Sequence, residues 1–326
     1  MSTRRGGGGG REGAPRAGQA HRIRRRPAFG RDDREISTRL VTLKPADGHE
    51  WDGLLLRPRF GDPAFRRLLV IVVHGSVGNY LTGVPRRVAF ELAEDGFPVM
   101  SINTRLANYG PFFGGGLFHK TPLDLQAALE VARANGFTRV VLLGYSMGST
   151  VCTNFLANND APEVVGLLTI AHPASLPEAL RLRWQRYGAT PTYEEVADYA
   201  RPIVAEDPDD PPGDRIFTVM RANGPRSTPE NGEIWTYATW WSSRGPESPH
   251  AVSRDQIGKV RVPIAILQAG NDHLIQPGEG YDLLSTAAAA GNGDVLLDVV
   301  TQADHVFTGC VDVVSDLASA WLANLA

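Results

Sequence analysis

The chain has 326 residues, of which 42% are hydrophobic and 21% are charged, and its formal net charge is −3. This composition is ordinary for a globular protein and excludes a collagen-like, wholly disordered or highly charged binding chain. No stretch approaches eighteen uninterrupted apolar residues, so no membrane span is predicted.

The charge is unevenly distributed along the chain. Residues 1–35 contain ten arginines against four acidic residues and a run of five glycines. They hold too few large apolar groups to offset the entropy of ordering, so we expect a disordered basic tail. Weak contact of this tail with nucleic acid or another acidic surface remains an alternative. The rest of the chain has nine more acidic than basic residues, which disfavours nucleic acid as a partner.

Short apolar runs alternate with helical patterns from residue 36 onward. A hairpin opens the series, and the later runs are apolar throughout, which is typical of a parallel sheet covered by helices on both faces. The predicted strands are Thr38–Lys44, Trp51–Arg57, Leu68–Val73, Pro98–Asn103, Val140–Leu143, Val164–Ile170, Pro263–Gln268 and Val295–Val300. The predicted helices are Pro85–Glu94, Pro122–Ala134, Met147–Ala157, Tyr281–Ala290 and one from Cys310 to the C-terminus.

The alternation stops between Pro173 and Val260. This segment is too long for a connecting loop and is more typical of a small cap or lid that folds over the sheet. We therefore predict a core of residues 36–173 and 261–326 and a largely helical cap of residues 174–260. The only two cysteines, Cys152 and Cys310, lie in apolar helical patterns, which favours free buried thiols, a reducing compartment and a cytoplasmic location.

The segment Gly144-Tyr-Ser-Met-Gly148 fits the pattern G-x-S-x-G. In this pattern a strand turns sharply into a helix and presents the serine hydroxyl as a nucleophile. The context agrees, because an apolar strand ends just before Gly144 and a helical pattern begins at Met147. Glycines are needed at such a corner because neighbouring backbone approaches closely. Ser146 is therefore the predicted nucleophile.

A serine nucleophile needs a base to take its proton and a carboxylate to orient that base. Asp272 follows the strand Pro263–Gln268, and His305 follows the strand Val295–Val300, so both are expected at the carboxyl edge of the sheet together with Ser146. We predict Asp272 as the acid and His305 as the base. Asp304 is the second choice of acid, and His273 is a less suitable base because it neighbours the acid.

Acyl transfer also needs backbone amides that stabilise an oxyanion. The amide of Met147 is one candidate, because it follows the nucleophile at the start of a helix. The turn that begins at His74 follows the strand Leu68–Val73 and can supply the second amide, for which Ser76 is the first choice and Val77 the next. His74 itself is interpreted as a hydrogen-bonded residue that shapes this turn.

Aromatic residues are dense in the predicted cap, which contains Trp184, Trp235, Trp240 and Trp241. These rings can line an apolar pocket, and we predict Trp240, Trp241 and Tyr145 as substrate-binding residues. The alternative is that the rings form the cap's own core. The glycine-rich stretch 109–116 has no lysine in the register of a phosphate-binding loop and is interpreted as a loop beside the pocket.

These features together resemble the α/β-hydrolase superfamily, specifically serine esterases and lipases with a cap. The resemblance rests on the turn at His74, the elbow around Ser146, Asp272 after a strand and His305 before the last helix. It implies an eight-stranded, mostly parallel sheet and a covalent acyl-enzyme that water later releases. It also implies a structural role for Asp124.

The sequence departs from the pattern of these relatives in two places. Where many of them have Asp-x-Arg-Gly, this chain has Asn103-Thr-Arg105-Leu106, which leaves the role of Arg105 open. Ser149 stands where glycine or alanine is common, a difference that we expect to be tolerated sterically. The serine nucleophile, in place of an aspartate, argues against dehalogenase and epoxide hydrolase chemistry.

The sequence therefore predicts a serine hydrolase that acts on an ester or thioester of a small to medium, partly apolar acyl compound. An acyltransferase that uses the same three residues and a catalytically silent ligand-binding homologue are the alternatives. No cofactor is expected, since neither HExxH nor paired CxxC motifs occur. The expected partner is a small-molecule substrate, with no nucleic acid and no membrane span, and the oligomeric state is left open.

Overall fold

The computed structural model describes residues 36–59, 61–108, 115–208, 211, 213–222, 232–276 and 278–325. The predicted tail of residues 1–35 and residues 109–114 of the glycine-rich loop lie outside the described residues. Within the described part of the chain, no helix is long and apolar enough to cross a bilayer.

The secondary structure follows the predicted alternation, with element ends that differ by a few residues. The strands are β1 (Ile36–Leu43), β2 (Trp51–Pro58), β3 (Leu68–Val73), β4 (Val99–Ile102), β5 (Arg139–Tyr145), β6 (Val164–Ile170), β7 (Ala189–Thr190), β8 (Ile216–Arg221), β9 (Gly232–Thr236), β10 (Ile264–Ala269) and β11 (Val295–Val300). The helices are α1 (Gly83–Glu94), α2 (Thr121–Ala134), α3 (Met147–Asn158), α4 (Leu176–Tyr187), α5 (Tyr193–Ala205), α6 (Tyr237–Arg244), α7 (Arg254–Ile257), α8 (Glu279–Ala289) and α9 (Val311–Asn324).

Eight strands form one sheet in the order β1-β2-β4-β3-β5-β6-β10-β11. β1 pairs antiparallel with β2, β2 pairs antiparallel with β4, and every later pair is parallel. The prediction of an α/β fold with a mostly parallel eight-stranded sheet is thus confirmed. The register places Val73 beside Gly144 and Tyr145 beside Ile170, so the carboxyl ends of β3, β5 and β6 lie level with one another.

Both faces of the sheet are buried, as the continuous apolar strands predict. All six residues of β3 are inaccessible to solvent, and they alternate between two hydrophobic layers. One layer contains apolar side chains of α2, α3 and α8, and the other contains those of α1 and α9. This double layer fixes the sheet edge from which the site residues project.

The chain between β6 and β10, which we call the inserted segment, folds into α4–α7 and a three-stranded antiparallel sheet, β7-β8-β9. The sequence pattern predicted a largely helical cap here and did not indicate these strands. β8 alternates regularly between exposed and buried residues, but its buried positions are Phe217, Val219 and Arg221. An arginine at a buried position of a short strand obscures the apolar alternation that marks a strand in a sequence.

An aromatic cluster forms the core of the inserted segment. The ring of Trp240 stacks on Trp184 at a centroid distance of 6.0 Å and lies 5.1 Å from the ring of Tyr193. Phe217 closes the cluster with its ring edge toward Trp240. Because buried rings dominate the packing energy of small cores, this cluster holds the helices and the sheet of the inserted segment together.

Candidate active site

The turn from β5 into α3 holds Ser146 in a strained conformation. Its φ is 52° and its ψ is −120°, in a region that non-glycine residues rarely adopt. The turn has no room for side chains at its two glycines. A Cβ atom at Gly144 would lie 2.4 Å from the backbone of Ser149, and one at Gly148 would lie 2.4 Å from the carbonyl oxygen of Val73. The close approach of backbone at both glycines, predicted from the sequence, is thus confirmed.

Ser149 does more than fit into this corner. Its hydroxyl donates a hydrogen bond of 2.8 Å to the carbonyl oxygen of Gly144, across the turn that carries Ser146. The side chain is fully buried. The departure from glycine or alanine at this position therefore adds a hydrogen bond to the elbow, which the sequence analysis did not foresee.

The structure brings together the three residues that the sequence places far apart. The Nε2 atom of His305 lies 3.2 Å from the Oγ atom of Ser146, and its Nδ1 atom lies 2.7 Å from the Oδ2 atom of Asp272. Asp272 and His305 are both buried. A hydroxyl, an imidazole and a carboxylate thus form one hydrogen-bonded chain at the carboxyl edge of the sheet.

Backbone amides hold the carboxylate of Asp272 in place. Its Oδ1 atom accepts hydrogen bonds from the amides of Leu274, at 2.8 Å, and Ile275, at 3.1 Å, which leaves Oδ2 for His305. Asp304, the alternative acid, is instead bonded to the amide and the hydroxyl of Thr308, both at 2.8 Å. The geometry therefore favours Asp272, because the carboxylate of Asp304 is occupied by a local turn.

The turn after β3 is shaped by His74, as the sequence analysis proposed. Its Nδ1–H donates to the carbonyl oxygen of Gly75 at 2.8 Å, and its Nε2 accepts from the amide of Thr104 at 3.2 Å. Burial lowers the pKa of His74 to about 4, so the ring is neutral near pH 7. Val77 takes a positive φ of 52°, which turns the chain sharply after Ser76. The hydroxyl of Ser76 accepts a hydrogen bond from Arg244.

Ser146 opens into a cavity of about 320 Å³ between the edge of the eight-stranded sheet and the inserted segment. Residues of the core and of the inserted segment contribute to its lining, which includes Ser76, Tyr145, Ser146, Leu176, Leu180, Arg183, Arg221, Glu233, Trp235, Arg244, His273, Ile275 and His305. Met147 is buried at the first position of α3, directly after Ser146.

Of the three aromatic residues predicted to bind substrate, one lines the cavity and two lie in the core of the inserted segment. Tyr145 lines the cavity, and its hydroxyl donates a hydrogen bond of 3.0 Å to the carbonyl oxygen of His305. Trp240 and Trp241 do not line the cavity among the described residues; they belong to the aromatic core of the inserted segment. The alternative interpretation of these rings therefore agrees with the structure, whereas Trp235 does line the cavity.

The charged residues of the cavity were not predicted from the sequence. Arg183 comes from α4, Arg221 from β8 and Arg244 from α6, and Glu233 of β9 is the acidic residue that lines the cavity beside them. Each is a single polar residue in an otherwise unremarkable pattern. No motif connects them, so their convergence could not be found without the fold.

Asp124 and Arg105 form a separate buried network. The Arg105 guanidinium lies 2.8 Å from a carboxylate oxygen of Asp124 and 2.8 Å from one of Asp47. The indole N–H of Trp51 also donates to Asp124, at 2.8 Å. These contacts tie the first hairpin to α2, so Arg105 has a structural partner although the usual run of residues around it is absent.

The sheet order and the strained serine turn define an α/β fold of the hydrolase type. Residues 70–316 match the Alpha/beta hydrolase family, and the chain belongs to that family. A search of curated protein sequences found no match.

Several solved structures are similar to this chain. One is Est1E from Butyrivibrio proteoclasticus with ferulic acid bound, at a TM-score of 0.61 and 14% identity, covering 87% of this chain and 99% of that one. A second is the esterase Pf2001 from Pyrococcus furiosus, at a TM-score of 0.58 and 16% identity, covering 89% and 90%. A putative hydrolase from Agrobacterium vitis has a TM-score of 0.59 and 18% identity, covering 87% and 98%. Identities this low show a shared fold.

Proposed function

We propose that this protein is a serine hydrolase that cleaves an ester or thioester of a small to medium, partly apolar acyl compound. The observation that carries the proposal is the hydrogen-bonded chain from Ser146 through His305 to Asp272, with distances of 3.2 Å and 2.7 Å. These distances suit proton transfer from the hydroxyl to the imidazole. The strained conformation of Ser146 supports a functional role for the same residue.

In this mechanism His305 takes the proton of Ser146 as its oxygen attacks the acyl carbon. Asp272 fixes the Nδ1–H tautomer of His305 and stabilises the imidazolium that forms. The amides of Met147 and Ser76 donate to the oxyanion of the tetrahedral intermediate. The imidazolium then gives its proton to the departing alcohol or thiol, which leaves an acyl-enzyme. Water, deprotonated by His305, attacks this acyl-enzyme and releases the acid and the free serine.

The size and lining of the cavity support a substrate of modest size. A volume of about 320 Å³ is at the lower end of small-molecule sites. Leu176, Leu180 and Ile275 supply an apolar wall beside Ser146. The inserted segment acts in this proposal as a cap of residues 174–260 that excludes water from the reacting groups. The esterase names of similar structures support ester cleavage as the reaction class.

A fluorophosphonate probe tests the assignment directly, since it labels an activated serine covalently. We expect a single adduct, mapped by peptide mass spectrometry to Ser146. The variant Ser146→Ala should lose both the adduct and the hydrolysis of a short-chain p-nitrophenyl ester, whereas the exposed control Ser285→Ala should retain both. An adduct on another serine, or normal turnover by Ser146→Ala, would refute the proposed nucleophile.

A further inference from the structure

The cavity beside Ser146 is positively charged. Its lining contains three arginines, Arg183, Arg221 and Arg244, and Glu233 is the acidic residue among the described residues that line it. Burial lowers the pKa of His273, which disfavours its charged form. A partly enclosed cavity with an excess of positive charge attracts an anionic ligand more strongly than exposed arginines would.

Glu233, the acidic residue in the described part of the lining, already has hydrogen-bond partners. Both oxygens of Glu233 accept hydrogen bonds from Arg183, at 2.9 and 3.0 Å, and the guanidinium of Arg221 lies 3.6 Å from the same carboxylate. The indole N–H groups of Trp184 and Trp235 also donate to Glu233, at 3.4 and 3.0 Å. Glu233 is therefore bonded to Arg183 and the two indoles, and although its charge also acts on Arg244, no hydrogen bond or ion pair joins these two residues in the described part of the chain.

Arg244 is the arginine of the cavity that has no ion-pair partner in the described part of the chain. It is only 5% exposed, and in the described residues its guanidinium has no carboxylate within ion-pair distance. Its hydrogen bonds go to neutral acceptors, the carbonyl oxygen of Ser243 at 3.1 Å and the hydroxyl of Ser76. A guanidinium has five N–H donors, so donors remain for a ligand. Burial, followed by repulsion from Arg183, lowers the pKa of Arg244 to about 9, so the group is still charged at pH 7.

Arg244 lies close to the groups that are proposed to react. Its bond to Ser76 places the guanidinium at the turn whose amide is proposed to bind the oxyanion, and both residues line the cavity that contains Ser146. A buried charge without a counter-ion is unfavourable, and an anionic group on a bound substrate removes that penalty. Guanidinium and carboxylate also match in geometry, because two parallel hydrogen bonds can form.

We propose that Arg244 binds a carboxylate of the substrate, so that the preferred substrates are monoesters or monothioesters of short dicarboxylic acids. This inference rests on the proposed function and names the substrate class of the same site. The carboxylate lies a few bonds from the acyl carbon that Ser146 attacks, and Arg244 acts as a specificity-determining residue. The alternative outcome is that Arg244 only holds the turn at Ser76, in which case acidic and neutral esters depend on it equally.

The first experiment compares two p-nitrophenyl esters of equal acyl chain length, the glutarate monoester and the pentanoate. We expect wild-type protein to favour the glutarate monoester in kcat/KM. Arg244→Gln keeps a donor for Ser76 but removes the charge, and it should lower the ratio of the two kcat/KM values at least about 10-fold, as expected for a charged hydrogen bond. Arg244→Lys keeps the charge and should retain more of the ratio.

The matched control is Arg254→Gln, which removes the same charge from an exposed arginine outside the cavity lining. Its ratio should stay within about 2-fold of wild type, since exposed charges contribute little. Equal losses for both esters in Arg244→Gln, or a ratio that Arg244→Gln leaves unchanged, would overturn the proposal. Circular dichroism of each variant establishes that it folds.

A second measurement does not depend on turnover or on any change of Arg244. Calorimetric titration of the Ser146→Ala protein with monomethyl glutarate should show binding, and titration with the neutral dimethyl ester should show binding at least about 10-fold weaker. Equal binding of the two compounds would overturn the carboxylate site. If wild-type protein cleaves no ester at all, the proposed function fails, yet this titration still decides whether the cavity recognises a carboxylate.

Discussion

The two walls of the cavity are built by different means. On the side of the eight-stranded sheet, backbone constraints place the proposed reacting groups: a positive φ at Ser146, glycines without room for a Cβ atom, and two amides that hold Asp272. On the side of the inserted segment, packed rings and buried charges place the arginines. The first wall is specified by local sequence, and the second by contacts between distant residues.

Hydrogen bonding differs between the two walls as well. In the wall formed by the eight-stranded sheet, which we call the sheet wall, hydrogen bonds link Asp272 to His305 and His305 to Ser146. In the inserted segment, the carboxylate of Glu233 instead joins Arg183 and the indole groups of Trp184 and Trp235. Changes in the sheet wall should therefore alter the rate for every substrate, and changes in the inserted segment should alter stability and substrate preference.

The largest expected effect is on the sheet wall. Asp272→Asn should lower kcat for a neutral p-nitrophenyl ester by about 10⁴-fold, because the amide no longer enforces the required tautomer of His305. The fold should be retained, as judged by circular dichroism. The matched control is Asp304→Asn, whose carboxylate bonds to Thr308 instead, and its kcat should stay within a few-fold of wild type. A larger loss for Asp304→Asn would contradict the assignment of the acid.

The next effect falls on the inserted segment. Trp240→Ala should lower the free energy of unfolding by about 3–5 kcal/mol, since it empties a fully buried site in the aromatic cluster. Trp240→Phe is the control, because it keeps a ring and loses an indole nitrogen that has no described partner. Urea unfolding measures both variants, and limited proteolysis should place the first cuts of Trp240→Ala in residues 174–260. Cuts spread evenly over the chain would contradict the separation of the two walls.

A smaller effect concerns pH and the residues that support the sheet wall. Burial lowers the pKa of His74 to about 4 and that of His172 to about 3, whereas both titrate near 6.5 in the unfolded chain. The unfolded chain therefore binds more protons than the folded protein between pH 6.5 and 4, and stability is full above this window and falls as the pH is lowered through it. The loss can reach about 1.4 kcal/mol per pH unit for each histidine.

Urea midpoints at pH 7, 6 and 5 and constant ionic strength test this expectation. Measurements stop at pH 5 because carboxylates begin to titrate below it. Midpoints that stay constant over this range would mean that the two histidines are accessible to protons in the folded protein.

The smallest effect refines the description of the elbow. Ser149→Ala removes the hydrogen bond to the carbonyl oxygen of Gly144 and should lower the free energy of unfolding by about 1 kcal/mol, with a lower kcat if the bond helps to hold Ser146 in its strained conformation. Thermal unfolding and ester turnover measure the two quantities, with Ser285→Ala as the exposed control. Full stability in Ser149→Ala would show that the hydroxyl is merely tolerated, as the sequence analysis supposed.

The sheet and its site residues could be predicted because their determinants are local. Apolar runs such as Leu68–Val73 and Val164–Ile170 coincide with β3 and β6, and a serine between a strand and a helix indicates an elbow. Parallel strands bring their carboxyl ends to one edge, which is why Asp272 and His305 could be assigned to the same place as Ser146.

Other parts of the molecule had no such local determinant. β8 was missed because Arg221 occupies a buried position in it, and Trp240 and Trp241 were expected in the cavity although their rings form the core beside it. An aromatic residue in a sequence is equally consistent with a core or a lining, since both bury apolar surface.

The sequence by itself determined the order of the core strands and helices along the chain, the turn that holds Ser146, and the candidate hydroxyl, imidazole and carboxylate. These features follow from the spacing of apolar residues along the chain and from the glycines that a sharp turn requires. Only the tertiary structure decided the charge of the cavity, because Arg183, Arg221, Arg244 and Glu233 lie on four separate elements. Their approach depends on how the inserted segment packs, a property of the whole fold that no single stretch of sequence encodes.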